Sequence, residues 1–418
     1  MNMPHTAPSL DERGTLTAGV GLDTAPVPLE PYRSQAFFDA EVARVFRRAW
    51  LMIGRVEELP EVGSFFLRSL DPTGVSALVT RSRAGRIQAF HNSCAHRGSA
   101  VVEARAGRQD RFVCPYHKWT YGDDGRLLGA TDQADFFGLD KARCGLAPIA
   151  TEVWEGWIFV NVQPTPEVSL ETFLGPMKDY LAGIAYRPMG SPVTVVADLD
   201  ANWKVVSDAF IESYHVPYIH PRSLAGPFAS SVNPYGRFLS ATLLGPHQAV
   251  SYFGNPDYSI EPRARVEALA AACGATRDAS YAEGFQRFLA HPAVNPSGSR
   301  YWSMDTNAVF PNSHIDSGMF GSWTHQFWPL GLERTRYEGR FYLGEAANFR
   351  ERFEIEAIAA RLIEVVTEDL ANVARTQRGI RSGGQSHMQL KDSEVSIRHA
   401  LAQVRRWVEA ASVAEALA

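Results

Sequence analysis

The stretch from His91 to Gly125 reads HNSCAHRGSAVVEARAGRQDRFVCPYHKWTYGDDG, and it carries two of the chain's four cysteines. Each cysteine has a histidine close behind it: Cys94 precedes His96 by two positions, and Cys114 precedes His117 by three. Thiolates and imidazoles gathered in this way point to zinc or iron. A structural zinc module expects like donors in close pairs, such as C-x-x-C with H-x-x-x-H. Here each couple mixes one thiolate and one imidazole. A binuclear [2Fe–2S] cluster needs two ligands per iron, and one version uses two histidines on one iron and two cysteines on the other. Two loops, each giving one Cys and one His, build that set. Gly98 permits a tight turn beside the cluster, Pro115 stiffens the second loop, and Tyr116 and Trp119 are available to cover it. Structural zinc is the competing reading of these four residues. His91 reads as a strand residue, and Cys144 and Cys273, with no histidine beside them, read as ordinary residues.

Around this segment, residues 55–165 form short β-like runs separated by turn residues: SFFLRSL, VSALVTR, IQAFHNS, RFVCPYHKWTY and GWIFVNV. AGR at 84–86, AGR at 106–108 and GDDGR at 122–126 read as hairpin turns. This predicts a small all-β domain with the Cys/His couples near its loop tips. Residues 1–34, rich in Pro, Gly, Thr and Asp, read as a mobile leader. Residues 35–54 read as an amphipathic helix running into an apolar strand and belong to the larger domain. Residues 166–418 mix strands with long helices: a helical excursion over 263–291, antiparallel strands over 321–344, and one long helix over 348–379. The fold class is therefore α+β, with two domains, as 418 residues suggest.

A net charge of −5 with no basic run argues against nucleic acid as the main partner. No apolar stretch approaches the ~18 residues of a membrane span. The N-terminus lacks the pattern of a secretory signal. Four cysteines in 418 residues do not make a disulfide framework, which fits a cytoplasmic protein with thiolates free for metal.

A second constellation lies in NWKVVSDAFIESYHVPYIHP, residues 202–221. Glu212 and His215 are three apart, on one face if helical. His215 and His220 are five apart, about 140° around an ideal helix, and cannot meet on one metal from a regular helix. Pro217 is expected to end or kink the helix just after His215, letting His220 swing back. Two histidines want a carboxylate to complete the facial triad of a mononuclear Fe(II) site. The long helix offers Glu368 and Asp369. Ile355, Ile358, Leu362, Val365, Asp369 and Val373 share an apolar stripe, so Asp369 is the candidate, since a carboxylate buried there needs a partner or a metal.

CAHRG and CPYHKWTY resemble the Rieske domain of Rieske non-haem iron oxygenases, the α subunits of ring-hydroxylating oxygenases and their relatives. NWK, the carboxylate-x-Tyr-His run and the later Glu368, Asp369 and Gln377 resemble that family's catalytic domain, and the likeness spans about residues 35–410. The resemblance implies a helix-grip catalytic domain, an antiparallel sheet with long helices. It implies a [2Fe–2S] cluster on Cys94, His96, Cys114 and His117, and Fe(II) on His215, His220 and Asp369. The family's bridging acid, which links a cluster histidine of one subunit to an iron-ligating histidine of its neighbour, falls on Glu212, and the arrangement implies a homotrimer, in some members with a β subunit. Aromatic-ring dioxygenases usually carry Asp at that position, while Glu appears among relatives acting on quaternary amines. The family's acid-Asn-Phe run reads Asp208-Ala209-Phe210 here, and Asp208 is a second candidate catalytic acid. Lys118 stands where the family more often has a small residue.

The expectation is a terminal oxygenase that uses O₂ and NAD(P)H electrons delivered by a separate flavin or iron–sulfur reductase, with or without a ferredoxin. No G-x-G-x-x-G follows a strand here. The loop after His220, the excursion 263–291 and the strands near His325, Phe327 and Trp328 are the expected pocket, and Arg334 and Arg336 read as a solvated strand face. Glu212 leans toward a methylated amine; the apolar pocket segments, and the lack of an aromatic cage motif, lean toward an aromatic or hydrophobic substrate, which the sequence favours. A Rieske electron carrier is the rival from another class, opposed by the second metal constellation and the long remainder of the chain.

Overall fold

The computed structural model describes residues 16–186, 192–275, 279–319 and 321–418. They fall into two compact units. One comprises Val42–Phe173 with Ala411–Ala416 and Ala418; the other comprises the described residues up to Glu41, Leu174–Ala410 and Leu417.

The first unit is all-β in its framework. Its strands are β1 (Leu51–Arg55), β2 (Ser64–Leu70), β3 (Val75–Arg81), β4 (Ile87–His91), β5 (Ala106–Arg108), β6 (Arg111–Val113), β7 (Thr120–Gly122), β8 (Leu127–Gly129), β9 (Pro148–Trp154) and β10 (Trp157–Asn161). They make an antiparallel sheet in the order β1-β10-β9-β4-β3-β2-β5 and a small sheet β6-β7-β8. Alternation sets the packing: Leu67 pairs with Leu78, and Leu78 with Phe90, so all three point to one face. Phe65, Leu78, Phe90, Phe112, Trp119 and Tyr121 join Cys94 and Cys114 in one core, which anchors both cysteine loops on rigid elements. Two of the three expected turns sit between strands. At Gly125, φ is +78°, and a Cβ would strike the Phe90 ring, so only glycine fits. The third is a correction: Ala106–Arg108 is strand β5, paired with Ser64–Phe66.

The larger unit is built on β11 (Val193–Leu199), β12 (Ser240–Leu244), β13 (His247–Phe253), β14 (Trp302–Val309), β15 (Ser313–Gly318), β16 (Gly321–Gly331) and β17 (Arg334–Tyr342). They form one antiparallel sheet in the order β11-β17-β16-β15-β14-β13-β12. Its helices include α1 (Trp203–Asp208), α2 (Val216–Ile219), α3 (Arg265–Gly274), α4 (Ala279–Leu289), α5 (Phe349–Arg381) and α6 (Val395–Glu409). Asn348 caps α5 by accepting the amides of Arg350 and Glu351, and a run rich in Ala, Glu, Arg, Leu and Ile carries the helix on for 33 residues. Its buried stripe is Ala359, Val366, Asp369, Val373, Gln377 and Ile380, shifted by one residue from the expected Val365. The stripe meets Val205 and Val206 of α1 and Trp323, Phe327, Tyr337 and Phe341 of the sheet. The helices of the excursion are α3 and α4; residues 276–278 between them lie outside the described residues.

The expected boundaries shift in two places. The 35–54 segment divides: Gln35–Glu41 is helical and belongs to the larger unit, while Val42 onward belongs to the smaller. The leader expected over 1–34 is pinned at several points within its described part, though residues 23–26 are exposed. Leu16 and Thr17 are buried, and their amides donate to Asp392 at 3.1 and 2.8 Å. Val27–Pro28 pairs with His387–Met388. Residues 1–15 lie outside the described residues. A composition rich in turn formers does not reveal a partner segment some 370 residues away, and that partner is what holds this one. Among the described residues, no helix is long and apolar enough to cross a membrane.

Candidate metal centres

In the smaller unit, the loop after β4 carries Cys94 and His96, and the loop between β6 and β7 carries Cys114 and His117. Matching turns hold the two loops: Gly98 donates to Cys94 O at 2.8 Å, and Lys118 to Cys114 O at 3.0 Å. Gly98 has φ +76° and Lys118 φ +58°. Both turns therefore need a left-handed residue, which is the physical reason a small residue suits position 118. The four donors sort by kind. His96 Nδ1 and His117 Nδ1 are 3.1 Å apart, and the Cys94 and Cys114 side chains are hydrogen-bond neighbours. Burial raises the Cys114 thiol, but the backbone N–H groups of Tyr116 and His117 outweigh it and hold the thiol below its usual value. The four do not converge on one point as a zinc site requires; among the described residues the set that does so is in the other unit. Two thiols at one end and two imidazoles at the other fit a binuclear cluster with unlike irons. Trp119 stacks on His96 with centroids 5.1 Å apart, as expected for a cover, while Tyr116 packs on His117 and is itself exposed.

Tyr121 is a contributor the sequence reading passed over. Its Oη accepts the Ala95 N–H at 3.0 Å, so its own O–H is directed to Cys94 Sγ, 3.1 Å away. A hydrogen bond to a ligand sulfur stabilises the more negative, reduced cluster. Tyr121→Phe is expected to lower the reduction potential by about 45 mV, taking ~1 kcal/mol for the bond and 59 mV per tenfold for one electron. A redox titration followed by circular dichroism checks this, and an unchanged potential would remove the role.

In the larger unit, Asn202 caps α1 by accepting the Lys204 N–H at 3.0 Å, and its own N–H donates to Gln377 Oε1 of α5 at 3.0 Å. Lys204 Nζ meets Glu41 Oε1 at 2.6 Å and Trp203 Nε1 donates to Glu41 Oε2 at 3.1 Å, all buried. The NWK run and Gln377 thus lock α1 against α5 and fix the chain that follows. That chain is not the expected helix. α1 ends at Asp208, and residues 209–215 are turns and irregular chain. Glu212 and His215 meet because the Glu212 carboxylate accepts the backbone amides of Tyr214 and His215 and the Nδ1–H of His215. Pro217 starts a helix rather than ending one: it sits in the first turn of α2, where it needs no N–H partner. α2 is a single turn, and it returns His220 to His215.

The outcome is three donors at one point. His215 Nε2 is 3.2 Å from His220 Nε2 and 3.3 Å from Asp369 Oδ1, and His220 Nε2 is 2.8 Å from Asp369 Oδ1. Metal bonds of about 2.1 Å at right angles put their donor atoms about 3 Å apart. The proton positions agree. His215 gives its Nδ1–H to Glu212, and His220 gives its Nδ1–H to Glu368 Oε2 at 2.7 Å. Both Nε2 lone pairs then face Asp369, an arrangement that requires a cation between them. Burial opposes the His215 imidazolium, yet Asp369 and Glu212 outweigh it and raise its pKa to about 10. Glu368, set aside as a ligand, is held by Ser223 as well and orients His220. Its adjacency to Asp369 was the available signal.

Asp208, the second candidate acid, lies outside the group of three donors. It is the last residue of α1, and its carboxylate accepts the Tyr32 O–H at 2.7 Å. Burial raises its pKa from 3.8 to about 7. The folded state therefore binds this proton more tightly than the unfolded chain, and stability falls as pH rises from about 4 to about 7, by on the order of 4 kcal/mol. Asp208→Asn is expected to flatten that slope, so that the variant gains on the parent at pH 8 but not at pH 4, read by thermal unfolding.

Of the expected pocket, His325 and Phe327 face α1 and α5, whereas Trp328 alternates to the other face of β16. Arg336 pairs with Asp198 at 3.0 Å on a half-exposed face, and Arg334 is exposed, as expected.

Residues 189–410 match the model of the ring-hydroxylating α subunit catalytic domain, and residues 49–142 match that of the Rieske [2Fe–2S] domain. The chain is 34% identical over 200 residues to the glycine betaine monooxygenase oxygenase subunit of Pseudomonas aeruginosa, covering 47% of this chain and 45% of that one. It is 32% identical over 203 residues to the chloroplastic choline monooxygenase of Spinacia oleracea, covering 47% and 46%. It is 33% identical over 211 residues to the N,N-dimethyl phenylurea N-demethylase subunit alpha of a Sphingobium species, covering 48% and 45%. The matched segments span about half the length of these relatives. Among solved structures, the quaternary ammonium Rieske monooxygenase CntA with L-carnitine superposes with a TM-score of 0.69 at 18% identity, over 94% of this chain and 99% of that one. Naphthalene 1,2-dioxygenase from Rhodococcus sp. bound to indole does so with 0.74 at 22% identity, over 93% and 95%. These two likenesses show the fold. The chain belongs to the ring-hydroxylating α subunit family, and a Rieske [2Fe–2S] domain precedes its catalytic domain in the sequence.

Proposed function

We propose that this chain is the terminal oxygenase of a system that oxygenates a methyl group on nitrogen. The reading rests on one observation above all: a chain with a two-Cys, two-His loop pair also brings His215, His220 and Asp369 to one point. In this reading Cys94, His96, Cys114 and His117 hold the [2Fe–2S] cluster, and the triad holds Fe(II). Held there, the cluster would supply electrons singly and the iron a place for O₂ reduction. Glu212 fixes His215 through Nδ1, and Glu368 fixes His220, so both Nε2 atoms are held for the metal before substrate arrives. Electrons come from NAD(P)H through a separate reductase, and the assembly is a homotrimer in which Glu212 joins neighbouring subunits' metal sites.

The balanced step is R₃N⁺–CH₃ + O₂ + 2e⁻ + 2H⁺ → R₃N⁺–CH₂OH + H₂O, after which the carbinol loses formaldehyde and a proton. Glycine betaine, choline and N,N-dimethyl phenylurea, the compounds in the names of relatives above 30% identity, all carry methyl groups on nitrogen. Glu212 agrees with that group. This reverses the preference for an aromatic substrate drawn from the sequence. An aromatic substrate stays as the second reading, favoured by the rings of Phe210 and Phe327 beside the site.

A single turnover tests it. The protein is reduced chemically and mixed with O₂ and a panel of methylated amines, neutral aromatics and aromatic acids, and products are read by mass. Formaldehyde or an oxygenated amine is expected. A diol or phenol with no amine product would favour the second reading, and a preparation with a cluster but no further iron would sink the oxygenase reading.

A further inference from the structure

β15 and β16 place a buried carboxylate on the face of the sheet that looks toward α1 and α5. His314 pairs with His325, and Asp316 with Trp323, so His314, Asp316, Trp323, His325 and Phe327 share that face. In β17, Tyr337 pairs with Phe327 and joins them. Asp316 is 2% exposed, its Oδ2 is 3.1 Å from His325 Nε2, and its Oδ1 is buried with no hydrogen-bond partner. A carboxylate only accepts, so His325 donates from Nε2. Its Nδ1 then accepts the Tyr337 O–H at 2.7 Å. Asp316 is thus held by a buried chain of donors on one oxygen and left open on the other. Leaving a buried acceptor unpaired is costly, and a site that does so calls for a ligand.

The surroundings say which ligand. The Phe210 ring lies 4.6 Å from His325 and 5.3 Å from Tyr337, and the Phe210 carbonyl accepts the Tyr252 O–H at 3.2 Å. Phe210 stands two residues before Glu212. Tyr252 and Tyr337 feel the charges of both Asp316 and Asp369, so the open carboxylate and the triad flank the same rings. A buried carboxylate with Trp323 opposite it in register, and with the rings of Tyr337 and Phe210 next along its donor chain, has the chemistry to take a methylated ammonium ion. The rings come from four separate segments, Phe210, Tyr252, Trp323 and Tyr337, which is why no cage motif is visible in the sequence.

We infer that Asp316 is the counter-ion that seats the substrate's ammonium nitrogen beside the triad, with His325 and Tyr337 as its positioning residues; this deepens the methylated-amine reading and rests on it. The test is calorimetric binding to the iron-loaded, oxidised protein. The probes are choline and its uncharged carbon isostere, 3,3-dimethylbutan-1-ol. The parent is expected to bind choline at least about 30-fold more tightly than the isostere, and Asp316→Asn to bring the two within about threefold, with iron content and cluster spectrum unchanged. Equal binding in the parent overturns the inference, and so does a preference that survives in Asp316→Asn. If that variant does not fold, the parent's ratio still decides, a value near one overturning the counter-ion. Amine turnover in the parent with a preference indifferent to Asp316 sinks this inference alone. Charge-selective binding lost in the variant, with no amine oxidised by the parent, sinks the reaction and leaves the site.

Discussion

Asp369→Ala is expected to strip the mononuclear iron and end turnover, by roughly 10³-fold or more, while the cluster's visible spectrum stays intact. The argument is geometric. Asp369 Oδ1 is the common neighbour of both Nε2 atoms, at 2.8 and 3.3 Å. It is also the group whose charge makes the site favourable for a cation. Burial raises its carboxyl, but the bonds from His215 and His220 outweigh this and hold it below its usual range. Without it, two imidazoles 3.2 Å apart face each other with no compensating anion between them. Glu368 cannot replace it, because its oxygen is committed to His220 Nδ1 and Ser223 on the far side of the ring. Iron and acid-labile sulfide analysis decides: the parent should carry about three irons per two sulfides and the variant about two. A variant that kept the third iron would show that the triad is assigned wrongly.

The candidate donor sets were readable before the fold was because donor chemistry restricts spacing more tightly than propensity restricts conformation. Cys94, His96, Cys114 and His117 had to come from two loops whatever the strands around them did. Asp369 could be chosen over Glu368 because α5 is long, and a periodic stripe 33 residues in length tolerates a slip of one position. The run from Asp208 to His215 was the opposite case. Its residues suit a helix, and the expected turn of Glu212 onto His215 exists, but through capping of two amides rather than helical phase. Competition between a side-chain acceptor and the helix's own carbonyls is decided locally and leaves no periodic trace. The leader and the Asp316–His325–Tyr337 chain went unread for another reason: each depends on pairings across hundreds of residues or between strands, which register alone fixes.

Glu212→Ala is expected to lower turnover by about 10²-fold or more, and part of that loss will be iron. Taken as a bridge alone, the residue could be removed with both metal sites left whole. The structure gives it a prior duty: its two oxygens hold His215 Nδ1 and the amides of Tyr214 and His215, so the turn that presents His215 is built on it. Losing such an outer partner weakens metal affinity by roughly 10–100-fold. The two duties separate in one experiment. Iron is restored with excess Fe(II) under nitrogen, the cluster is reduced, and O₂ is added with substrate while the cluster's absorbance is followed. If Glu212 carries electrons between metal sites, the reloaded variant keeps a reduced cluster and gives little product. If it only positions His215, reloading brings back both cluster oxidation and product, and the bridge has to be sought elsewhere. Glu212→Asp sharpens the distinction. A side chain one methylene shorter can still cap the amides of Tyr214 and His215, yet it withdraws from His215 Nδ1, so iron should hold better than in the alanine variant while electron transfer stays slow.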